Sequence, residues 1–200
     1  MPSNLSRREF FVSSTVAAGV LAAGPAAALT EGEARQLVDQ VVADIDRVIT
    51  SGGSEAAILR EFEKLFLRYA DVNIMAQYAL GVDGRSASNA QKRAFNDAFT
   101  TYITRKYGRQ FRDFIGGRVE VNGARAIRSG YEIETTAYLR GDGPFAVNFH
   151  VSDRSGSLKF FNIYIEGVNL LLTERDEIGA MLDRRGGNID AVISDLRSAG

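Results

Sequence analysis

The sequence predicts an α+β domain in which helices pack on one face of a curved, four-stranded antiparallel sheet. Apolar residues recur every three or four positions from 30 to 115 and again from 178 to 196, which is the period of an amphipathic helix. Between 118 and 165 the period changes to two, and short glycine-containing turns separate the alternating segments. Short turns of this kind favour an antiparallel meander.

The N-terminal half is predicted to begin with three helices. Thr30 and Glu33 have the spacing of a capping box, which marks the start of the first helix. Gly52-Gly53 ends that helix, Ser54 is expected to cap the second, and Asp71 is expected to cap a short third helix.

The fourth predicted helix is the longest, and its apolar stripe is unusually aromatic. It begins at a second capping box, Ser88 and Gln91, and is expected to end at Gly116-Gly117. Two interpretations of the stripe are open: it fills a core, or its rigid rings line an apolar cavity. The stripe consists of Phe95, Phe99, Tyr102, Ile103, Tyr107, Phe111, Phe114 and Ile115.

Four strands are predicted next, at Arg118–Ile127, Tyr131–Leu139, Phe145–Val151 and Leu158–Ile165, with a turn near Asn122-Gly123 in the first. Each strand except the last has one apolar and one polar face. The fourth carries large apolar groups on both faces, so both faces need cover, either from protein or from a bound apolar molecule.

The C-terminal part is predicted to be helical. Glu166-Gly167 interrupts the alternation of the fourth strand, and Thr173 is expected to cap a helix whose first turn is acidic. Gly186-Gly187 separates this helix from a last one, which contains Ile189 and Leu196.

The composition excludes several kinds of site. The formal net charge is −1, so no general attraction to nucleic acid is expected. The absence of cysteine excludes disulfides, thiolate metal sites and a cysteine nucleophile. His150 is the only histidine, and neither a phosphate-binding loop nor a nucleophile elbow is present, so no cofactor, metal or catalytic residue is predicted.

The first 28 residues are predicted to be a twin-arginine export signal. Arg7-Arg8 precedes an uncharged stretch from Val12 to Leu29, and small residues end it at Ala26 and Ala28. Export would leave a periplasmic domain of residues 29–200.

A basic cluster on the fourth helix has two open interpretations. Arg105, Arg109 and Arg112 belong either to a solubilising face or to a patch that docks an acidic partner or holds phosphate headgroups.

Two segments resemble a known family. The segment Phe161–Leu170 resembles the Tyr-Asp-x-x-x-Glu-Gly-Val-Ser-Leu motif of the MlaC, or toluene-tolerance, family, with Asn162 and Asn169 in place of the usual Asp and Ser. The segment Asp71–Gly81 is similar to the family's Asp-x-x-x-Met-Ala-x-Tyr-x-Leu-Gly pattern. The resemblance implies a non-enzymatic periplasmic phospholipid carrier. Such a carrier shuttles lipid between an outer-membrane lipoprotein complex and an inner-membrane ABC transporter with an MCE-type subunit.

The resemblance also implies an apolar cavity for acyl chains, and the sequence pattern indicates which residues would line it. They belong to the apolar sheet face, the facing helices and the cavity mouth. The predicted lipid-binding residues are Tyr78, Phe95, Phe99, Tyr102, Ile103, Phe145, Val147, Phe149, Phe161, Ile163, Ile165, Val168 and Leu171.

Two alternatives to a carrier remain open. One is an isomerase or hydrolase with a cone-shaped fold similar to nuclear transport factors, with Glu134, Asp153 or His150 as its acid or base. A charged residue on the apolar face would favour this enzyme. The other is a periplasmic interaction protein whose apolar faces are filled by its own side chains, which an empty volume or a co-purifying ligand would argue against.

Overall fold

The computed structural model describes residues 29–110, 117–139, 141 and 143–199, and it confirms the predicted α+β class. The helices are α1 (Glu31–Ile49), α2 (Glu55–Tyr69), α3 (Val72–Leu80), α4 (Asn89–Gln110), α5 (Leu170–Arg184) and α6 (Ile189–Ser198), with a short 3₁₀ helix at Gly81–Arg85. The strands are β1 (Arg118–Ile127), β2 (Gly130–Tyr138), β3 (Phe145–Ser152), β4 (Lys159–Ile165) and β5 (Val168–Asn169). The predicted signal segment, residues 1–28, lies outside the described residues.

Most of the predicted helix starts are correct. Thr30 and Glu33 form the capping box in front of α1, and the Asp71 carboxylate accepts from the Ile74 N–H at 3.2 Å in front of α3. Ser54 makes no side-chain capping hydrogen bond in front of α2.

The sheet has five strands in the order β1-β2-β3-β4-β5, with every neighbouring pair antiparallel. The prediction of four strands omitted β5. A tight turn at Glu166 and Gly167, both at positive φ, returns the chain so that Val168 pairs with Ile165. The predicted turn at Asn122-Gly123 is wrong, because β1 continues through this point with a β-bulge.

A second β-bulge changes which residues of β4 face the helices. Phe160 pairs with Val151 and Asn162 pairs with His150, so Phe161 is an extra residue in β4. The extra residue places Phe160 against Phe149, with ring centroids 5.6 Å apart. Phe161 packs instead against His150 on the opposite face, so the regular alternation that predicts Phe161 on the apolar face does not hold here.

Helix α5 begins earlier than predicted. Asn169 caps it by accepting from the Leu172 N–H at 3.0 Å, so the predicted cap at Thr173 is wrong. As a consequence, Glu174 lies one turn inside the helix, where it is fully buried, rather than directly after the cap.

The helices cover one face of the sheet. Helix α1 lies across β1, β2 and β3, while α3 and α5 contact β4. Helix α4 packs on α2, α3 and α6. No helix in the described part of the chain is both long and apolar enough to cross a membrane.

Candidate functional site

An apolar pocket lies between α1, α2, the end of α4 and the helix-covered face of the sheet. Its empty volume is about 1120 Å³, counting the space that opens to solvent. All but one of its lining residues are apolar or aromatic. The lining residues are Val41, Val42, Ile45, Phe62, Leu65, Phe66, Tyr69, Met75, Ile103, Tyr107, Val119, Val147, Phe149, Phe160, Ile163, Ile165, Leu170 and Glu174.

Two cross-strand pairs of β3 and β4 form the centre of the pocket's sheet side, beside Val119 and Phe160. Val147 pairs with Ile165 and Phe149 pairs with Ile163, and all four line the pocket. Strand alternation therefore gives this side a continuous apolar surface.

Glu174 is the charged exception in the lining, and it is 0% exposed. Its Oε1 atom accepts hydrogen bonds from Lys106 Nζ at 2.7 Å and from the Tyr107 hydroxyl at 2.6 Å. Lys106 also donates to Glu177 at 2.7 Å, so one ammonium group serves two carboxylates. The Glu174 Oε2 atom is buried and has no hydrogen-bond partner among the described residues.

The hydrogen bonds of this cluster shift the pKa values of its members. Burial alone would lower the pKa of Lys106, but the hydrogen bonds to Glu174 and Glu177 outweigh burial and raise it. Burial is the main cause that raises the pKa of Tyr107, and its bond to Glu174 adds to the effect. Lys106 is therefore charged and Tyr107 neutral at ordinary pH, and both act as donors.

Glu174, Lys106 and Tyr107 are joined by hydrogen bonds, as the members of a structural network are.

The family model described as MlaC protein matches residues 35–198 of this chain. The chain belongs to the MlaC family. That match covers the described helices from within α1 to the end of α6, together with the whole sheet.

A solved structure has the same fold as this MlaC-family chain. It is a phospholipid-binding protein from Ralstonia solanacearum in complex with a phospholipid, and the two superpose with a TM-score of 0.71. Their sequences are 21% identical, and the match covers 82% of this chain and 95% of the other.

Part of the lipid-binding set predicted for this MlaC-family chain lines the pocket. The residues that do so are Ile103, Val147, Phe149, Ile163 and Ile165. These predictions came from strand alternation in β3 and β4 and from the helical period of α4.

The other predicted residues lie elsewhere. Four are buried in the packed core outside the pocket lining, namely Phe95, Phe99, Tyr102 and Leu171. Because α4 packs on α2, α3 and α6, Phe95, Phe99 and Tyr102 of its aromatic stripe serve contacts between helices, while Phe111, Phe114 and Ile115 lie outside the described residues. The remaining four lie away from the pocket: Tyr78 and Val168 are exposed, Phe145 is half-buried, and Phe161 is on the opposite sheet face.

Helices α1 and α2 supply pocket residues that the sequence interpretation left out of the site. Val41, Val42 and Ile45 share one face of α1, and Phe62 and Phe66 share one face of α2. Their helical spacing was the available signal. It shows that these residues share a buried face, but it does not show what the face packs against.

The arginine cluster remains a predicted docking patch. Arg105 and Arg109 line a small groove beside Arg60 and Glu63, and Arg105 also donates to the Arg197 carbonyl at 3.1 Å. Arg112 lies outside the described residues. Across the described ranges, no group of histidine, aspartate and glutamate side chains could hold a metal ion.

Proposed function

We propose that this protein is a periplasmic phospholipid carrier that buries acyl chains in the pocket between α1, α2 and the sheet. The observation that carries this proposal is the nearly continuous apolar lining of a pocket of about 1120 Å³. Membership of the MlaC family and the fold shared with a phospholipid-binding protein support it.

Burial of the acyl chains alone provides enough affinity. Each buried CH₂ group contributes about 0.8 kcal/mol, so a long chain needs no charged contact to be held. The headgroup can then stay in water at the pocket opening. We therefore expect weak selectivity among headgroups.

The proposal extends to where the protein works and with which partners. The twin-arginine pattern in residues 1–28 supports export to the periplasm. There the carrier would exchange phospholipid between an outer-membrane lipoprotein complex and an inner-membrane ABC transporter with an MCE-type subunit, as the family membership implies. No nucleic acid or cofactor takes part.

Native mass spectrometry tests the proposal directly. The protein is purified from periplasm without detergent, and its bound lipids are extracted and identified. We expect a mass excess that resolves into phospholipids with several headgroups. A bare polypeptide mass, together with no uptake of lipid from added vesicles, would contradict the carrier function.

A pocket-filling variant tests the assigned site. Ile163→Trp replaces an aliphatic side chain in the pocket with a larger indole ring. The variant should lower the amount of co-purifying phospholipid at least several-fold, because the ring occupies space that the acyl chain would fill. The matched control is Phe161→Trp, which makes its change nearby on the opposite sheet face. Thermal melts check that both variants fold. Equal lipid content in the two folded variants would place the lipid elsewhere.

The charged residue in the pocket favours one further candidate, a lipid-cleaving enzyme. Glu134, Asp153 and His150 do not line the pocket, but Glu174 does. Glu174 forms an ion pair with Lys106. Our proposal remains a carrier that does not cleave its lipid. After incubation with phospholipid vesicles, we expect the lipid to be recovered intact. Release of fatty acid that Glu174→Gln abolishes would instead establish an enzyme.

A further inference from the structure

The apolar pocket contains a polar group that packing alone does not explain. Glu174 lines the pocket and is 0% exposed, yet only one of its two carboxylate oxygens is hydrogen-bonded within the described part of the chain. A carboxylate accepts hydrogen bonds on both oxygens, and a buried acceptor without a donor is destabilising. Glu174 therefore offers an acceptor that the described side chains leave unused.

The surrounding contacts hold this acceptor in place. Lys106 and Tyr107 both donate to Oε1 of Glu174, at 2.7 and 2.6 Å. Lys106 is itself fixed by Glu177 and by the Tyr102 hydroxyl, at 2.7 and 3.1 Å. Because two donors hold Oε1, the side chain cannot turn Oε2 towards them without losing hydrogen bonds. Oε2 is itself buried, so a donor on a ligand reaches it when the bound chain displaces the side chains that cover it.

We infer that the pocket prefers an amphiphile whose buried chain carries a hydrogen-bond donor, such as a hydroxyl group, and that Glu174 Oε2 accepts that hydrogen bond. This inference rests on the proposed function, since it assigns the chemical class of the chain that the pocket holds. An unsubstituted chain leaves Oε2 without a donor. A chain with a keto group at the same position brings an acceptor against an acceptor.

Chains that differ only in this group provide the test. The probes are octadecanoate and two series in which a hydroxyl or a keto group is moved along the same chain. Their dissociation constants are measured by displacement of a fluorescent fatty acid from the delipidated protein. At the chain position that reaches Glu174, the hydroxyl probe should bind about tenfold more tightly than the keto probe. A site built around a hydrogen bond discriminates against the analogue that lacks the donor.

The variant Glu174→Gln reverses the chemistry of the free position. Lys106 and Tyr107 need an acceptor, so the amide oxygen takes the place of Oε1 and the amide NH₂ takes the place of Oε2. This variant should lose the preference for the hydroxyl probe and bind the keto probe at least as well. The matched control is Glu177→Gln, which changes the same network outside the pocket lining and should keep the wild-type preference.

The outcomes separate this inference from the proposed function. Equal affinity for hydroxyl and keto probes at every position, with octadecanoate bound, overturns the inference and leaves the carrier intact. A hydroxyl preference that Glu174→Gln retains also overturns it. If none of the probes and no phospholipid binds, the proposed function itself fails. Should Glu174→Gln not fold, the comparison of the two probe series on the wild-type protein decides.

Discussion

At the residue scale, the polar face of the sheet is stabilised by one carboxylate with several partners. Glu132 accepts from Arg125 Nη2 at 2.7 Å and from Asn148 Nδ2 at 3.0 Å, and it lies 3.0 Å from His150 Nε2. Burial acts to raise the pKa of Glu132, but the hydrogen bonds with His150 and Arg125 outweigh it and hold that pKa below the ordinary value of 4.5.

This lowered pKa predicts a loss of stability in acid. Since the folded-state pKa of Glu132 lies below its unfolded value, the carboxylate stabilises the fold above about pH 4.5, and that contribution disappears as the pH falls through the folded-state pKa. Glu132→Gln should therefore lower the free energy of unfolding by about 1–3 kcal/mol at neutral pH and reduce its fall in acid. Urea denaturation across the pH range measures both effects.

The control for this prediction is Glu134→Gln. Glu134 lies on the same strand face, its side chain is 47% exposed, and its Oε1 atom is 3.9 Å from Arg125 Nε. Its substitution should change stability little at any pH. Identical pH profiles for the wild-type protein and Glu132→Gln would show that the Glu132 contacts contribute nothing to stability.

At the element scale, the hairpin between β1 and β2 depends on a single glycine. Gly130 has φ of +150°, and a Cβ atom built there would collide with the carbonyl oxygen of Val151 in β3. The backbone of the turn therefore approaches the neighbouring strand too closely for any side chain. Glycine is required here by both conformation and space.

We expect Gly130→Ala to destabilise the protein by about 2–3 kcal/mol, because the strands must shift to admit the methyl group. Gly179 is the matched control. It lies within α5 with no atom near its Cβ position, so Gly179→Ala should stabilise the protein, by up to about 1 kcal/mol. Chemical denaturation of both variants measures the difference. A stable Gly130→Ala variant would mean that the hairpin tolerates a different register.

The elements themselves could be predicted from the sequence, but the irregularities within them could not. Periods of 3.6 and 2 identify helices and strands because each element buries one face. A β-bulge adds one residue without a sequence period of its own, so the reversal of Phe161 and Phe160 was not predictable from alternation. The two-residue strand β5 is likewise too short to show a pattern.

At the scale of the whole molecule, the location of the pocket depends on which buried faces meet. The sequence identified the apolar faces of α1, α2 and α4, but periodicity contains no information on how those faces pair. In the structure, α1 and α2 cover the pocket, whereas Phe95 and Phe99 of α4 fill the core between helices. For the same reason the sequence places Glu174 in the acidic first turn of a helix, but does not indicate that α5 buries it beside Lys106.

The pocket also links cargo to the stability of the whole fold. Its lining residues come from α1, α2, α3, α4, α5 and the three strands β1, β3 and β4, so a chain bound there would contact most of the molecule at once. The unfolded protein has no such pocket. A ligand that binds only the folded state stabilises it by about 2.7 kcal/mol when its free concentration is 100 times its dissociation constant.

Delipidated protein should therefore melt at a lower temperature than the same protein reloaded with phospholipid. For a chain of this size, that stabilisation corresponds to a rise of about 5–10 °C in Tm. Differential scanning calorimetry measures it, with lipid content checked by mass spectrometry. Ile163→Trp, whose new ring occupies the pocket, should show little or no rise, while Phe161→Trp should behave as wild type. If the reloaded wild-type protein contains lipid but melts at the delipidated temperature, the lipid is bound outside the core, and the pocket is not where the acyl chains lie.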